Sequence, residues 1–411
     1  MGTYLNPGTV LFEEAVNSRA FVDKSDMILF LNTLVNTGQK YVGVFRPRRF
    51  GKTMAANMVC AYYGRGLKRR ALFEKRKIAS SGPCDAPWDR YLGKFDVLKL
   101  VMTDFLGECE TVDEMLEAMT WEVTDELREA FPDVEFGDES SVPTAMQQIY
   151  RETLTQFVIV IDEWDAVFRQ RADDETGQRK YLDFLCNFFW DRPYIALVYM
   201  TGILPISTCG GHSCLNMFCE YSMIAPREMA PYVGFTEGEV KNLCVQYGRD
   251  FEKMKERYDG YLVQCVVPMP PEGEGKTASE RYTVWNPYTV ARAITKGLVL
   301  NFWNSTETFE ALAQHVRRDD DGLRDAVARL MGGGSVTIDT RTCQNAYAAV
   351  RGRDEILTLL IHLGYLTFDE EQSAVHIPNR EILDVFRTCA KVLGWRDILR
   401  SMEGSPMNQA I

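Results

Sequence analysis

Residues 157–161 are the most apolar strand-like run of the sequence. They read FVIVI, and two acids, Asp162 and Glu163, follow at once. A short run that is apolar on both faces is typical of a parallel strand covered by helices on each side. The run therefore predicts a parallel sheet. It also puts two carboxylates at the carboxyl end of a strand, where such sheets bind ligands.

Three other segments have the composition of buried strands, and helical segments alternate with them. The predicted strands are residues 41–45, 95–101 and 195–200. Residues 54–59 have helix-forming composition, and residues 111–130 carry apolar side chains at helical spacing. Strands that alternate with helices predict an α/β fold with a doubly wound parallel sheet.

The pattern changes after about residue 232. Thr236 and Glu239 form a capping-box pattern that opens a helix, and helical segments are predicted to dominate from there. The stretch 268–280 is rich in proline and glycine, which predicts a loop. Near the end, a helix, a hairpin and a second helix follow one another, in the outline of a winged helix.

These changes divide the sequence into three predicted regions. Residues 1–232 are predicted to form the nucleotide-binding domain and residues 233–305 a helical, lid-like region. Residues 306–411 are predicted to form a helical C-terminal region that ends in the winged-helix-like segment. We find no internal repeats.

Gly51, Lys52 and Thr53 lie between a predicted strand and a predicted helix. In that context the N–H groups at the helix start favour an anion, the lysine supplies a positive charge, and the threonine hydroxyl can bind Mg²⁺. The full phosphate-loop pattern has a glycine five residues before Gly51, where this sequence has Arg46. The tripeptide is only suggestive alone, but together with the acids after residue 161 it predicts a nucleotide site.

Each of the remaining polar candidates has two interpretations. Asp162 is predicted to hold Mg²⁺ and Glu163 to orient or deprotonate the attacking water, whereas the alternative is a pair of acids that end a strand. Thr201 is either a contact to the γ-phosphate or the attacking water, or a strand-end hydroxyl in a turn. Arg48 and Arg49 contact phosphate or a neighbouring subunit, or are solvated charges.

The predicted site has three sets of residues. The catalytic set is Lys52, Glu163 and Thr201, and the metal set is Thr53 and Asp162. The nucleotide-binding set runs along the loop and into the next helix: Arg48, Arg49, Phe50, Gly51, Lys52, Thr53 and Met54.

The charge is unevenly distributed along the chain. The net charge is −12, which argues against a general nucleic-acid coat or membrane-surface protein. Residues 41–80, however, hold eleven Lys and Arg against one acid, so +10 in this window leaves −22 for the rest. Part of the window belongs to the phosphate loop. The run 65–77 is either a solvated helix face or a DNA contact.

The eleven cysteines are scattered without pairwise rhythm and predict reduced thiols in a cytosolic protein. No apolar run approaches the ~20 residues that span a bilayer, and residues 1–4 do not begin a secretory signal, so we predict a cytoplasmic protein without membrane contact. Small buried residues are the preferred interpretation of a cluster that could alternatively bind zinc: Cys209, His212, Cys214 and Cys219.

Motifs along nearly the whole chain resemble the bacterial predicted AAA-ATPase-like family of P-loop proteins. The central motifs are RPRRFGKT at 46–53 and DEWD at 162–165. Further matches are YLNPG at 4–8, FVDKS at 21–25, TG at 201–202, GHS at 211–213, GFT at 234–236, YDGY at 258–261, NPY at 286–288, NFW at 301–303, GYLT at 364–367 and IPN at 377–379. The resemblance implies a P-loop fold that uses ATP and Mg²⁺, with arginine as the family's usual residue at position 46.

Members of this family often continue into a restriction-endonuclease-like domain that needs a Glu-x-Lys triplet on a strand. The triplets here, 239–241 and 274–276, lie in a predicted helix and in the Pro/Gly-rich stretch, so we predict no nuclease activity in this chain.

The sequence leaves two functions open. One is ATP binding with Mg²⁺-dependent hydrolysis that drives a conformational switch. The alternative is a non-hydrolysing, nucleotide-binding scaffold that recognises a protein or DNA partner. Because the C-terminal segment is acidic at residues 369–371, it favours protein over DNA. The residues do not separate ATP from GTP; ATP is what the resemblance implies.

Overall fold

The computed structural model describes residues 2–66, 69–81, 87–137, 141–209, 213–267, 278–303, 320–340 and 352–395. The chain divides into two compact units. The first unit contains residues 1–45, 52–220 and 345–348. The second unit contains residues 46–51, 221–344 and 349–411. The three predicted regions, with boundaries at 232 and 305, stay a prediction.

The first unit is built on a five-stranded sheet whose order is β2-β3-β4-β1-β5. The strands are β1 (Tyr41–Phe45), β2 (Asp96–Val101), β3 (Phe157–Asp162), β4 (Ile195–Gly202) and β5 (Cys219–Tyr221). The pairs β2–β3, β3–β4 and β4–β1 are parallel. Every residue of β1, β3 and β4 is buried, as expected for strands that are apolar on both faces. The prediction of an α/β fold with a parallel sheet is confirmed.

In the first unit, two helices precede β1 and the others lie between the strands along the chain. They are α1 (Val10–Val16), α2 (Met27–Leu34), α3 (Lys52–Tyr63), α4 (Arg69–Phe73), α5 (Lys77–Ser81), α6 (Met102–Glu108), α7 (Val112–Ala130), α8 (Val142–Thr153), α9 (Ala166–Gln170) and α10 (Glu175–Phe189). The longest, α7, begins with a capping box in which Thr111 accepts from the N–H of Glu114 and the Glu114 carboxylate accepts in return.

The N-terminal segment runs beside β2. Leu5 forms an antiparallel bridge with Leu98, and the N–H of Asn6 donates to the carbonyl of Val97 at 2.7 Å. The Asn6 side chain also bonds Asp96 and the N–H of Val97. The motif at residues 4–8 therefore satisfies backbone groups at the edge of the sheet, which is a structural role.

The second unit combines helices with two small sheets. Its strands are β6 (Phe235–Thr236), β7 (Tyr261–Val267), β8 (Ala278–Trp285), β9 (Val336–Thr337), β10 (Thr367–Asp369) and β11 (Ala374–His376). Its helices are α11 (Glu237–Tyr247), α12 (Phe251–Tyr258), α13 (Pro287–Lys296), α14 (Leu323–Met331), α15 (Arg353–Leu363) and α16 (Arg380–Val392). Short 3₁₀ turns lie at Ile206–Thr208 and Ser213–Leu215 in the first unit, and at Arg227–Met229 and Asp320–Gly322 in the second.

The region after residue 232 is less helical than predicted. Antiparallel strands form a sheet of order β6-β8-β7, and β10-β11-β9 form a second sheet. The first was missed because its strands pair across segments that are distant in the chain, whereas the flanking helices give strong local signals. Of the predicted loop 268–280, residues 268–277 lie outside the described residues, and the last three begin β8.

Several late motifs support the core of the second unit. Glu381, 2 % exposed, accepts hydrogen bonds from the N–H of Phe302 at 2.6 Å and from the Thr289 hydroxyl at 3.0 Å. Burial raises the pKa of this carboxyl. Asn379 caps α16 through the N–H of Ile382. The motifs at 301–303 and 377–379 are therefore explained by folding alone.

One cysteine pair departs from the expectation of reduced thiols. Cys186 on α10 and Cys214 form a disulfide with 5.7 Å between their Cα atoms, while Cys60 and Cys244 are buried thiols outside any disulfide. Burial raises the pKa of the Cys60 thiol to about 12.

In the part of the chain that the structure describes, no helix has the length and apolarity needed to cross a bilayer.

Candidate functional site

The carboxyl ends of three neighbouring strands bring the predicted site residues of the first unit together. Thr201 on β4 pairs with Val44 on β1, and Asp162 ends β3, opposite Val101 of β2. Because β1, β2, β3 and β4 are parallel, these ends lie along one edge of the sheet, which is where ligands bind in such folds. The parallel pairing of the strands therefore places residues 162 and 201 at the same edge of the sheet.

Lys52 is the first residue of α3 and is buried, with 4 % of its side chain exposed. Gly51 before it has φ +88°, a left-handed conformation that glycine adopts at little cost. The Nζ atom of Lys52 lies 4.0 Å from Oε1 of Glu163. Burial lowers the pKa of Lys52, and the nearby carboxylates of Glu163 and Asp162 oppose this shift. A cation in this setting is poised to contact an anionic ligand.

Thr53 and Asp162 form the second pair of the site. The Thr53 hydroxyl is hydrogen-bonded to the Asp162 carboxylate, and Oδ1 of Asp162 also accepts from the N–H of Glu163 at 3.1 Å. Asp162 is 1 % exposed, and burial raises its pKa. A hydroxyl and one carboxylate are the hard oxygen ligands that Mg²⁺ takes alongside phosphates and water. Across the described ranges, no group of three or more His, Cys, Asp or Glu could hold a metal by itself.

Thr201 places a buried hydroxyl at the same edge. Its side chain is 0 % exposed, and its Oγ1 has no hydrogen-bond partner within the described part of the chain. Its carbonyl accepts from the N–H of Trp164 at 3.0 Å, which ties β4 to the segment after β3. An unsatisfied buried hydroxyl costs about 1–3 kcal/mol. A polar ligand at this edge would satisfy the hydroxyl and remove that cost.

Glu163 follows β3 in a left-handed conformation, with φ +53°. Its Oε2 accepts from the guanidinium of Arg169 on α9. The Nε atom of Arg169 also donates to Oδ2 of Asp165 at 2.9 Å. Sequence reasoning missed Arg169, although its i,i+4 spacing from Asp165 on a helix was a usable signal.

The DEWD segment is fixed by the turn that follows β4. The indole N–H of Trp164 donates to the carbonyl of Leu204 at 2.8 Å, and the N–H of Leu204 donates to Oδ2 of Asp165 at 3.0 Å. A Cβ on Gly202 would lie 2.5 Å from Oδ1 of Asp165, so only glycine fits there. The tryptophan and the second aspartate of the motif therefore position the acids before them.

A second buried lysine was also missed by sequence reasoning. Lys99 on β2 is 9 % exposed, and its Nζ donates to the Asn57 side chain on α3 at 2.7 Å. Its charge acts to lower the pKa of Asp162, against the larger effect of burial. The signal available in the sequence was a lysine between apolar residues of a predicted strand.

The loop residues before Lys52 pack within the second unit. Arg46 is fully buried and donates to the carbonyl of Ser222. Arg49 lies 4.4 Å from the ring centroid of Tyr288 and donates to the carbonyl of Phe302 at 3.2 Å. The guanidiniums of Arg46 and Arg49 thus have protein partners within the second unit.

The rest of the predicted nucleotide-binding set divides between the two units. Phe50, in the second unit, is buried edge-on against the Tyr261 ring, 5.1 Å between centroids, so its side chain serves packing. Arg48 is exposed, and Gly51 and Met54 are half-buried. As nucleotide contacts, Arg48, Arg49, Phe50, Gly51 and Met54 stay predictions.

The basic run 65–77 is engaged within the first unit at several points. Arg69 is 4 % exposed and donates to the carbonyls of Cys60, Ala61 and Arg65. Arg70 pairs with Asp89, and the Nε of Arg65 lies 3.0 Å from Asp96. Lys68 lies outside the described residues. These contacts favour a structural explanation of the run over a DNA surface.

The zinc alternative gains no support. Cys214 is joined to Cys186, and Cys209 is buried. His212 lies outside the described residues. Among the residues that are described, no cluster with metal-ligand composition includes Cys209 or Cys219.

One protein-family model matches the segment of the chain that contains the parallel strands. Residues 8–210 match the family described as Predicted AAA-ATPase. This match spans β1 to β4 and includes Lys52, Thr53, Asp162, Glu163 and Thr201. It supports nucleotide binding as the activity of the segment. No curated protein matches the chain.

Two solved structures resemble the chain over most of its length. A Walker-type ATPase of Pyrococcus abyssi is 13 % identical, with a TM-score of 0.42, and the match covers 90 % of this chain and 97 % of that one. Cdc6p from Pyrobaculum aerophilum is 12 % identical, with a TM-score of 0.30, covering 90 % and 93 %. Both TM-scores lie below 0.5, so the fold assignment rests on the sheet described above.

Proposed function

We propose that the protein binds ATP with Mg²⁺ and hydrolyses it, and that turnover drives a conformational switch. The observation that carries the proposal is the edge formed by Lys52, Thr53, Asp162, Glu163 and Thr201, at the carboxyl ends of parallel strands. The family match over residues 8–210 supports the same activity.

The residues of the first unit fit a Mg²⁺-bound nucleotide. Lys52 offers a buried ammonium to the phosphates, and Thr53 and Asp162 offer hard oxygens to the cation. The Thr201 hydroxyl, which has no hydrogen-bond partner among the described residues, offers a donor to a phosphate or to water. When bound, Mg²⁺ would neutralise charge that develops on the phosphates. Glu163 supplies the carboxylate that orients or deprotonates the attacking water.

The switch part of the proposal is supported by the position of the loop in the chain. Residues 46–51 belong to the second unit, and Lys52 follows them directly in the first. Arg46, Arg49 and Phe50 each have partners in the second unit. A change of loop conformation on phosphate binding would therefore act on residues that are packed in the second unit.

The test is hydrolysis by the purified protein, measured as phosphate release with and without Mg²⁺, and with and without DNA. We expect slow, Mg²⁺-dependent release in the wild type, and loss of turnover in Lys52→Ala and in Glu163→Gln. The glutamine variant should still bind a fluorescent ATP analogue, because its phosphate-binding lysine is intact. Turnover at the wild-type rate in either variant would contradict the proposal. The same assays with GTP show whether the protein prefers an adenine or a guanine nucleotide.

The alternative is a nucleotide-binding scaffold that does not hydrolyse and recognises a partner. Its support is the succession α14, β9, α15, β10, β11, α16, with the three strands in one antiparallel sheet, which fits a winged-helix-like segment. Within that segment Asp369 pairs with Arg281 at 2.7 Å, and Glu371 pairs with the same arginine at 3.0 Å. Acidic residues at the hairpin favour a protein partner.

The salt dependence of binding distinguishes a DNA partner from a protein partner. DNA binding through the basic run would weaken steeply with salt and would be lost on neutralising Arg65, Arg70 and Lys75 together. We expect no such affinity, because two of these side chains already have acidic partners. Nucleotide binding without turnover in the wild type would favour the scaffold over the ATPase.

A further inference from the structure

A buried guanidinium connects the candidate base to the turn after β4. Arg169 on α9 has 7 % of its side chain exposed. Its Nη2 atom donates to Oε2 of Glu163, and its Nε donates to Oδ2 of Asp165 at 2.9 Å. One planar, permanently charged group thus bridges two carboxylates through separate N–H donors.

The anchor of this bridge is rigid. Asp165 is 0 % exposed, and the Oδ2 that faces Arg169 also accepts from the N–H of Leu204 at 3.0 Å. The backbone between the two acids is fixed by the bond from Trp164 N–H to the Thr201 carbonyl at 3.0 Å. Arg169 is therefore attached to a fixed carboxylate at one end, and it restrains a more exposed one at the other, since Glu163 is 22 % exposed.

The restraint selects one oxygen of Glu163. Arg169 bonds Oε2, whereas Oε1 faces Nζ of Lys52 at 4.0 Å. Glutamate has several rotatable bonds, and a base is effective only when its acceptor oxygen is held within hydrogen-bond reach of the proton that it takes. A contact to one oxygen from a buried arginine fixes the other toward the lysine.

We propose that Arg169 is a positioning residue for hydrolysis, which presents Oε1 of Glu163 toward the phosphate-binding lysine, with Asp165 as its fixed support. This inference rests on the proposed function, since it concerns turnover of the nucleotide. Arg169 itself is not assigned a contact to the phosphates. Its removal is expected to affect the rate of the chemical step and to leave the binding of the nucleotide intact.

The experiment compares Arg169→Met, Arg169→Lys and Arg171→Met with the wild type. Arg171 is the matched control, because it lies two residues away and donates to the carbonyls of Cys109 and Glu110. We expect kcat to fall about 10- to 100-fold in Arg169→Met, with KM and the affinity for a fluorescent ATP analogue within about two-fold. Arg169→Lys should recover part of the rate, because it keeps the charge but not the fork.

A double variant gives a second readout. In the Glu163→Gln background, the residual rate measured in a single turnover with enzyme in excess should not fall further on Arg169→Met, because the group that Arg169 positions is gone. Analogue binding by each variant shows that it is folded.

Several outcomes would overturn the inference. Wild-type kcat in Arg169→Met, an equal loss of nucleotide affinity, loss of folding in Arg169→Lys, or an additive loss in the Glu163→Gln background each would do so. If Glu163→Gln is inactive while Arg169→Met turns over normally, only the role of Arg169 is wrong. No turnover in the wild type would overturn the proposed hydrolysis and this inference together.

Discussion

Nζ of Lys52, at the start of α3, lies 4.0 Å from Oε1 of Glu163, just beyond the end of β3. The lysine is almost fully buried, and the glutamate is partly exposed. Burying an ammonium is costly unless an opposite charge lies near it. The contact therefore stabilises a charged lysine at the edge of the sheet, where it is available to a phosphate.

Replacing Lys52 by methionine should weaken nucleotide binding without preventing folding. We expect the affinity for ATP to fall about 100-fold or more, since each 1.4 kcal/mol of lost charge interaction is tenfold. The free energy of unfolding should change little, because Glu163 is partly exposed and keeps the Arg169 guanidinium as its partner. Titration with a fluorescent ATP analogue measures the affinity, and denaturant unfolding measures the stability. Lys40→Met is the control, because its amine instead bonds the carbonyls of Arg192 and Ile195. Equal losses of affinity in both variants would contradict the assignment.

The cation requirement should depend on Thr53 and Asp162. In Thr53→Ala and Asp162→Asn we expect the Mg²⁺ concentration for half-maximal turnover to rise about tenfold or more, because each change removes or weakens one hard ligand. Binding of the nucleotide in EDTA should stay close to that of the wild type. Thr103→Ala, at a hydroxyl on α6, is the matched control. An unchanged Mg²⁺ requirement in both site variants would argue against this metal site.

Thr201→Val should lower turnover without lowering stability. The hydroxyl is buried without a hydrogen-bond partner among the described residues, so its removal is expected to leave the protein as stable or to stabilise it by about 1 kcal/mol. Turnover should fall, because the same hydroxyl is the proposed donor to a phosphate or to the attacking water. Thermal unfolding measures the change in stability, and phosphate release measures the change in turnover. A stable variant with full turnover would make Thr201 purely structural.

Arg69 is expected to act in folding rather than in recognition. Its guanidinium donates to three backbone carbonyls at or after the end of α3, so Arg69→Met should destabilise the protein by about 2–4 kcal/mol. Lys75→Met, at an exposed position in the same basic run, should be nearly neutral. Denaturant unfolding of the two variants tests this. Equal stability of both would contradict the buried role of Arg69.

A buried histidine in the second unit predicts a pH effect on stability. His362 on α15 is 2 % exposed; burial, helped by the charge of Arg46, lowers its pKa from 6.5 to about 4. Above pH 6.5 the side chain is neutral in both states, so its contribution to stability is fully present there. As the pH falls toward 4, only the unfolded state takes up the proton, and stability is lost.

The loss reaches about 2 kcal/mol by pH 5, which follows from the two pKa values. His362→Leu should remove this part of the pH dependence, whereas the carboxylates contribute equally to both proteins. Denaturant unfolding at pH 7.5 and pH 5 gives the difference. If the leucine variant lost as much stability on acidification as the wild type, the histidine would not be the cause.

Local sequence was sufficient for the elements whose signals lie within a few neighbouring residues. The run before Asp162, the tripeptide at Gly51 and the capping box at Thr236 each predicted an element that the structure contains. Their physical basis is short-range: apolar runs, turn conformation and the unsatisfied N–H groups of a helix start. The sheet β6-β8-β7 was missed because strand pairing depends on partners that are distant in the chain.

The sequence by itself determined the chemistry that is available: a lysine and a threonine after one strand, and two acids after another. Only the tertiary structure decided which groups meet. Parallel pairing of β1, β3 and β4 brought Thr201 to the same edge as Asp162, and α9 carried Arg169 to Glu163. It also gave Arg46 and Arg49 partners in the second unit. Burial and long-range contact set the role of a charged side chain, and a local pattern contains neither.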